Sequence, residues 1–240
     1  MLELDLRKEL KYLYQPSAKK VGIVEVPRFQ FAMIDGQIEA GEGPSTSASF
    51  QEALQALYGI SYTLKFTSKL RKENPVDYPV MALEGLWWIE DGEFDINKKD
   101  NWLYTLMMLQ PDFITPEMFE QAREQVRKKR GDNPSLAKMR LETFEEGLSM
   151  QIMHIGPYAD EPATIARMTA FAAENGYRPR GKHHEIYLGD PRRPRQTQNR
   201  SAAPDREKRL NVRTFTGFAL RFSPKGWNVP MCSRLAVKEG

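Results

Sequence analysis

What most constrains the fold of this 240-residue chain is an order of elements that its two halves share. In the first half an extended run at residues 21–34 is closed by Asp35-Gly36. A Gly/Ser/Thr loop at 41–46 then leads into a helix starting near Ser47. Phe50, Leu54, Leu57 and Tyr58 make an i, i+4, i+7, i+8 stripe on that helix. Extended runs at 78–89 and 102–109 follow, separated by the acidic turn 90–95. The second half repeats the order, with a lead-in at 140–145, a strand at 149–155 and the turn Gly156-Pro157-Tyr158. A helix over 162–174, stopped by Asn175-Gly176, then precedes a strand that carries Glu185. The pattern predicts an α+β fold built from a tandem strand-helix-strand-strand repeat. If a pseudo-twofold axis relates the halves, their strands meet and leave a central ligand groove. The alternative is two α+β segments that share an order by chance.

The repeats span about 18–112 and 138–191. Between them a connector helix is expected at 115–130, capped by Thr115, with Pro116 at its first position, Arg127 to Arg130 at its end and Gly131 after it. Leu2, Leu6, Leu10 and Leu13 recur at helical spacing before Pro16, so a short amphipathic helix is expected to open the chain. Residues 1–193 therefore read as one domain. The first fourteen residues interleave charges with leucines, which excludes a signal peptide or membrane span there and gives a cytoplasmic expectation; a monomer is expected. Cys232 is the one cysteine, so no internal disulfide or thiolate cluster can form. Of the three histidines, His183 and His184 point to opposite faces of a strand, and no metal or other cofactor is expected.

Residues 180–193 form the second informative segment. Alternation places His183, Glu185 and Tyr187 on one face and His184, Ile186 and Leu188 on the other. Glu is depleted in strands and rarely buried without a partner, so an acid between His and Tyr suggests a polar floor under an aromatic site. A solvated strand face is the bland reading. Laid on the first half, Leu83-Glu84-Gly85-Leu86-Trp87 matches His184-Glu185-Ile186-Tyr187, each with a mid-strand acid followed by an aromatic. Glu185 is the candidate base, and Tyr187 the donor that orients water or meets a developing oxyanion. Trp87, Trp88, Tyr104, Met107, Met108 and Met153 offer stacking surface, while Tyr62 and Tyr158 are further candidate donors. Alternation with Glu84 favours Trp88 over Trp87 for the groove. Glu84 is either a second pocket acid or a partner to a base, and His154 and His183 either take part or are structural.

The blocks Gln151-Ile-Met-His-Ile-Gly-Pro-Tyr158, Gly181-Lys-His-His-Glu-Ile-Tyr-Leu188, Leu83-Glu-Gly-Leu-Trp-Trp88 and Gln110-Pro-Asp-Phe-Ile114 resemble the stand-alone GyrI-like proteins. These are bacterial relatives of the drug-binding domain of multidrug-sensing regulators. The resemblance covers residues 4–193. It implies a small-molecule groove and hydrolytic detoxification of electrophilic, cyclopropane-bearing, DNA-alkylating ligands, with Glu185 assisting water. Non-catalytic sequestration of cationic or aromatic drugs, or inhibition of a partner such as gyrase, stays open.

From Arg192 onward twelve Lys and Arg stand against three Asp and Glu, and the preceding body is net acidic, so its field repels nucleic acid. After Asp190-Pro-Arg-Arg193 the sequence departs from the family's usual ending, whereas a one-nucleotide shift permits Ala-Pro-Ala-Lys-Leu-Lys-Thr-Val-Leu-Arg. Residues 194–240 are therefore read as a basic, disordered, frameshifted tail.

Overall fold

The computed structural model describes residues 1–90, 101–188 and 231–239. Its elements are β1 (Leu2–Glu3), α1 (Leu6–Glu9), α2 (Lys11–Tyr14), β2 (Gly22–Val26), β3 (Phe29–Gln37), α3 (Ala48–Leu70), β4 (Val76–Asp77), β5 (Leu83–Trp88) and β6 (Leu103–Gln110). Then come α4 (Pro116–Arg130), α5 (Pro134–Lys138), β7 (Arg140–Phe144), β8 (Gly147–His154), a 3-10 turn at Tyr158–Asp160, α6 (Glu161–Glu174), β9 (Tyr177–Tyr187) and β10 (Met231–Glu239). Eight strands make one antiparallel sheet in the order β2-β8-β10-β9-β5-β6-β3-β7.

The expected punctuation is present. Ser47 accepts from Phe50 N to start α3, Thr115 accepts from Met118 N to start α4, and Gly131 leaves α4 at φ +83°. Pro27 lacks a donor and divides the first extended run into β2 and β3. The opening helix is split at Leu10 into α1 and α2, and Leu2 instead belongs to β1, which pairs with β4.

Strand-helix-strand-strand occurs as β3-α3-β5-β6 and again as β8-α6-β9-β10. The sheet orders β3-β6-β5 and β8-β10-β9 match, with β5 and β9 adjacent at the centre. The second unit is complete only because β10 lies between β8 and β9. This corrects the expectation for the tail. Met231, Cys232, Ser233, Arg234, Ala236 and Val237 are buried, so Met231–Glu239 belong to the sheet rather than to a loose appendage. Basic composition concealed a strand whose one buried guanidinium donates to Glu146, Gln151 and the Leu13 carbonyl. Residues 194–230 of the expected tail lie outside the described residues.

Helices cover one face of the sheet. There α3 packs over β3 and β6, with α4 and α5 against α3, and α6 packs over β8 and β9. Phe50, Leu54, Leu57, Ile60 and Leu64 of α3 are buried with Ile34, Trp87, Tyr104 and Leu106. Each such side chain contributes about 1.5–3 kcal/mol of transfer free energy. On the other face Leu13 and Tyr14 of α2 close over Phe31, Met33, Leu86, Met107, Ile186 and Cys232. No described helix is long and apolar enough to cross a membrane.

Candidate functional site

Strand register decides which side chains meet. Gly85 pairs with Glu185, Leu83 with Tyr187 and Trp87 with His183, so these residues share the helix-covered face where β5 meets β9, between α3 and α6. Glu185 is only 4% exposed. Its Oε2 accepts from the Tyr187 hydroxyl at 2.5 Å, and that hydroxyl accepts from Trp87 Nε1 at 3.2 Å. Oε1 of Glu185 lies 3.4 Å from His183 Nε2, which is 3.7 Å from Glu161 Oε1. Ser233 Oγ of β10 donates to that same Glu161 oxygen at 3.1 Å.

Gly85 makes this approach possible. A Cβ there would stand 2.9 Å from Trp87 Nε1 and 3.5 Å from the Tyr187 hydroxyl, in the space through which the two residues bond. Trp87 is held from behind by stacked Phe50 at 5.8 Å and by Trp102 at 5.5 Å between ring centroids. Tyr187 is half-buried and stands at the rim of this wall.

Burial lowers the basicity of His183, but the carboxylates of Glu161 and Glu185 outweigh it and raise its pKa to about 9. The imidazole is therefore a cation at neutral pH. Burial, with Glu185 nearby, pushes the carboxyl of Glu161 upward, while His183 and Ser233 pull the other way. The donor atoms of Glu161, His183 and Glu185 lie within 4.8 Å of one another, a spacing that a divalent ion would accept. His183 stands between the two carboxylates, 3.4 Å from Glu185 and 3.7 Å from Glu161.

The sheet's opposite face carries a second buried polar cluster. His184 bridges Glu84 Oε2 at 3.0 Å and Glu146 Oε2 at 3.1 Å. Tyr14 donates to Glu84 at 2.6 Å, and Arg234 donates to Glu146, to the Leu13 carbonyl and to Gln151. Burial would raise the pKa of Glu146, but His184 and Arg234 prevail and hold it at about 2.

Glu84 and Trp88 thus do not join Glu185. Glu84 pairs with Ile186, one residue out of step with the Gly85-Glu185 pair, and a one-residue offset sends a side chain to the other face. Trp88 follows it there, half-buried, with Lys182 Nζ 3.1 Å from its ring centroid. Met153 pairs with Cys232 and lies on that face as well. The expectation that Trp88 and Glu84 line the Glu185 site is corrected in favour of Trp87. Met108 is core beneath α3, and Tyr104 lies under Phe50 with burial raising its pKa to about 12. Tyr62 stands on the exposed side of α3, stacked between Tyr58 and Phe66. His154 is fixed by Thr164 at 2.9 Å and the Pro157 carbonyl at 3.2 Å. The side chain of Tyr158 lies outside the description.

Sequence reasoning missed Glu161, Ser233, Glu146, Arg234 and Tyr14. Glu161 looks like an ordinary first-turn acid before Pro162, and Ser233 and Arg234 sit in the stretch read as tail. The mid-strand glycine of Leu83-Glu84-Gly85 was the available signal for a close approach.

The sequence matches the GyrI-like family, a small molecule binding domain, over residues 19–201. A search of curated proteins returned no match. Among solved structures, an uncharacterized conserved protein from Listeria innocua is 34% identical with a TM-score of 0.76. Two Listeria innocua proteins described as hydrolases are 32% and 33% identical, with TM-scores of 0.72 and 0.74. In all three cases the match covers 98% of this chain and 100% of the other.

Proposed function

Because this chain belongs to the GyrI-like small-molecule-binding family, we propose that its Glu185 face binds flat electrophilic molecules and adds water to them. The substrates are cyclopropane-bearing alkylators, and the outcome is detoxification. The observation that carries this reading is a nearly fully buried carboxylate oriented by His183 and Tyr187 beside the Trp87 wall. Two relatives described as hydrolases support it.

In the proposed reaction Glu185 takes a proton from water as the hydroxide oxygen bonds to a cyclopropane carbon. The strained ring bond breaks, and its electron pair moves through the conjugated system onto the ligand's carbonyl oxygen. Tyr187 gives its proton to that oxygen and regains one from Glu185, to which its hydroxyl is bonded, so the carboxylate is restored and the sum is addition of one water. A dry, preoriented site makes each of these interactions stronger than it would be in solvent.

A second reading is binding without chemistry, in which Glu185 is a counter-ion in a sequestering module. It is favoured by the engagement of both Glu185 oxygens. Incubation with a spirocyclopropyl-dienone indole in isotopically labelled water separates the two. Catalysis gives many equivalents of a product heavier by one labelled water, whereas stoichiometric loss of ligand refutes it.

A further inference from the structure

We propose that Glu161 is a positioning residue that acts through His183, holding the imidazole against Glu185 and so fixing the carboxylate of Glu185. The proposal rests on Glu185 being the working group of the site. A carboxylate so deeply buried needs a positive partner, and His183 is the cationic group that faces it among the described residues. On a strand, His183 and Glu185 project side by side, and one neighbouring carboxylate must compete alone against desolvation of the imidazolium. Glu161 supplies a second carboxylate from a different element.

Several groups face His183 among the described residues. Glu185 and Tyr187 come from β9, Glu161 from α6, Ser233 from β10 beside Glu185, and Trp87 from β5 opposite. Glu161 is 0% exposed, and its Oε1 is held by Ser233. Its Oε2 is buried and accepts no hydrogen bond among the described residues. A buried carboxyl oxygen left without a donor is a cost to folding. Such an acid at the first turn of α6 is accounted for by what it does to its neighbour. The chain Ser233 to Glu161 to His183 to Glu185 to Tyr187 to Trp87 spans three strands and a helix, and it sets Glu185 between the imidazole of His183 and the hydroxyl of Tyr187.

The first test is nuclear magnetic resonance titration of the imidazole of His183, told apart from His154 and His184 by single His→Gln variants. In wild type the midpoint should lie near pH 9, and in Glu161→Gln it should fall by about one unit or more, the usual effect of losing an adjacent opposite charge. Glu161→Asp should restore part of the loss. The alkaline limb of kcat/KM for water addition should move down with the midpoint, while KM at pH 6 changes less than threefold. A wild-type midpoint near 6.5, or a Glu161→Gln variant that titrates like wild type, overturns the proposal. The wild-type titration decides even if the variant fails to fold. Absence of turnover at every pH with the shifted titration intact upholds the placement of Glu161 and refutes the enzymatic reading instead.

Discussion

Replacing Arg234 by alanine should be among the most damaging single changes in this protein, because the guanidinium ties β10 to α2, to β8 and to the turn between β7 and β8. It donates to Glu146 Oε2 at 3.0 Å, to the Leu13 carbonyl at 3.1 Å and to Gln151 Oε1 at 3.1 Å, from a residue only 2% exposed. Its loss leaves buried Glu146 with His184 as its remaining side-chain partner among the described residues and leaves the Leu13 carbonyl without this donor. Removing one member of a buried ion pair typically costs about 3–5 kcal/mol. At about 2–4 °C per kcal/mol for a chain of this size, the melting temperature should fall by about 6–20 °C. Urea unfolding at pH 6 measures the loss directly. Lys238→Ala, at an exposed position on the same strand, should stay within about 0.5 kcal/mol. Because Arg234 and Glu146 share one interaction, Arg234→Ala combined with Glu146→Gln should cost less than the sum of the two. A loss below about 1 kcal/mol in Arg234→Ala would mean that β10 does not lie between β8 and β9, and residues past Arg193 would again read as a dispensable tail.

Stability should depend on pH at both ends. Glu146 has a folded pKa of about 2 against an ordinary 4.5, so its contribution is present above 4.5 and lost as the pH falls toward 2. His183 has a folded pKa of about 9 against 6.5, so its contribution is full below 6.5 and lost as the pH rises through 9. Urea midpoints should therefore form a plateau between about 4.5 and 6.5, and an unchanged midpoint across pH 9 would contradict the charged imidazole. Trp88→Ala should leave affinity for an aromatic ligand unchanged, whereas Trp87→Phe, which removes the hydrogen bond to Tyr187, should weaken it severalfold in fluorescence titrations. The reverse ranking would place the ligand on the opposite face.

Much of the frame was legible in the residues. Periodicity and caps located α3 and α4, since Ser47, Thr115, Pro116 and Gly131 act locally. The face shared by His183, Glu185 and Tyr187 followed from alternation within one strand. What failed was everything that depends on register between strands. Aligning Glu84 with Glu185 by sequence pattern looked sound, but pairing aligns Gly85 with Glu185, and that single step moved Glu84 and Trp88 across the sheet. The same limit hid Glu161, whose importance lies in a helix start being carried over β9, and Arg234, whose charge looked like that of a solvated tail until Glu146 was beside it.

The central claim, that Glu185 acts in chemistry on a bound molecule, is tested most directly by measuring affinity and turnover side by side in Glu185→Gln. The amide keeps the shape and can still meet Tyr187 but cannot take a proton from water. Affinity for a spirocyclopropyl-dienone indole should stay within about tenfold, while single-turnover conversion falls by about a hundredfold or more. Conversion at the wild-type rate, or a loss of affinity as large as the loss of rate, would contradict the account.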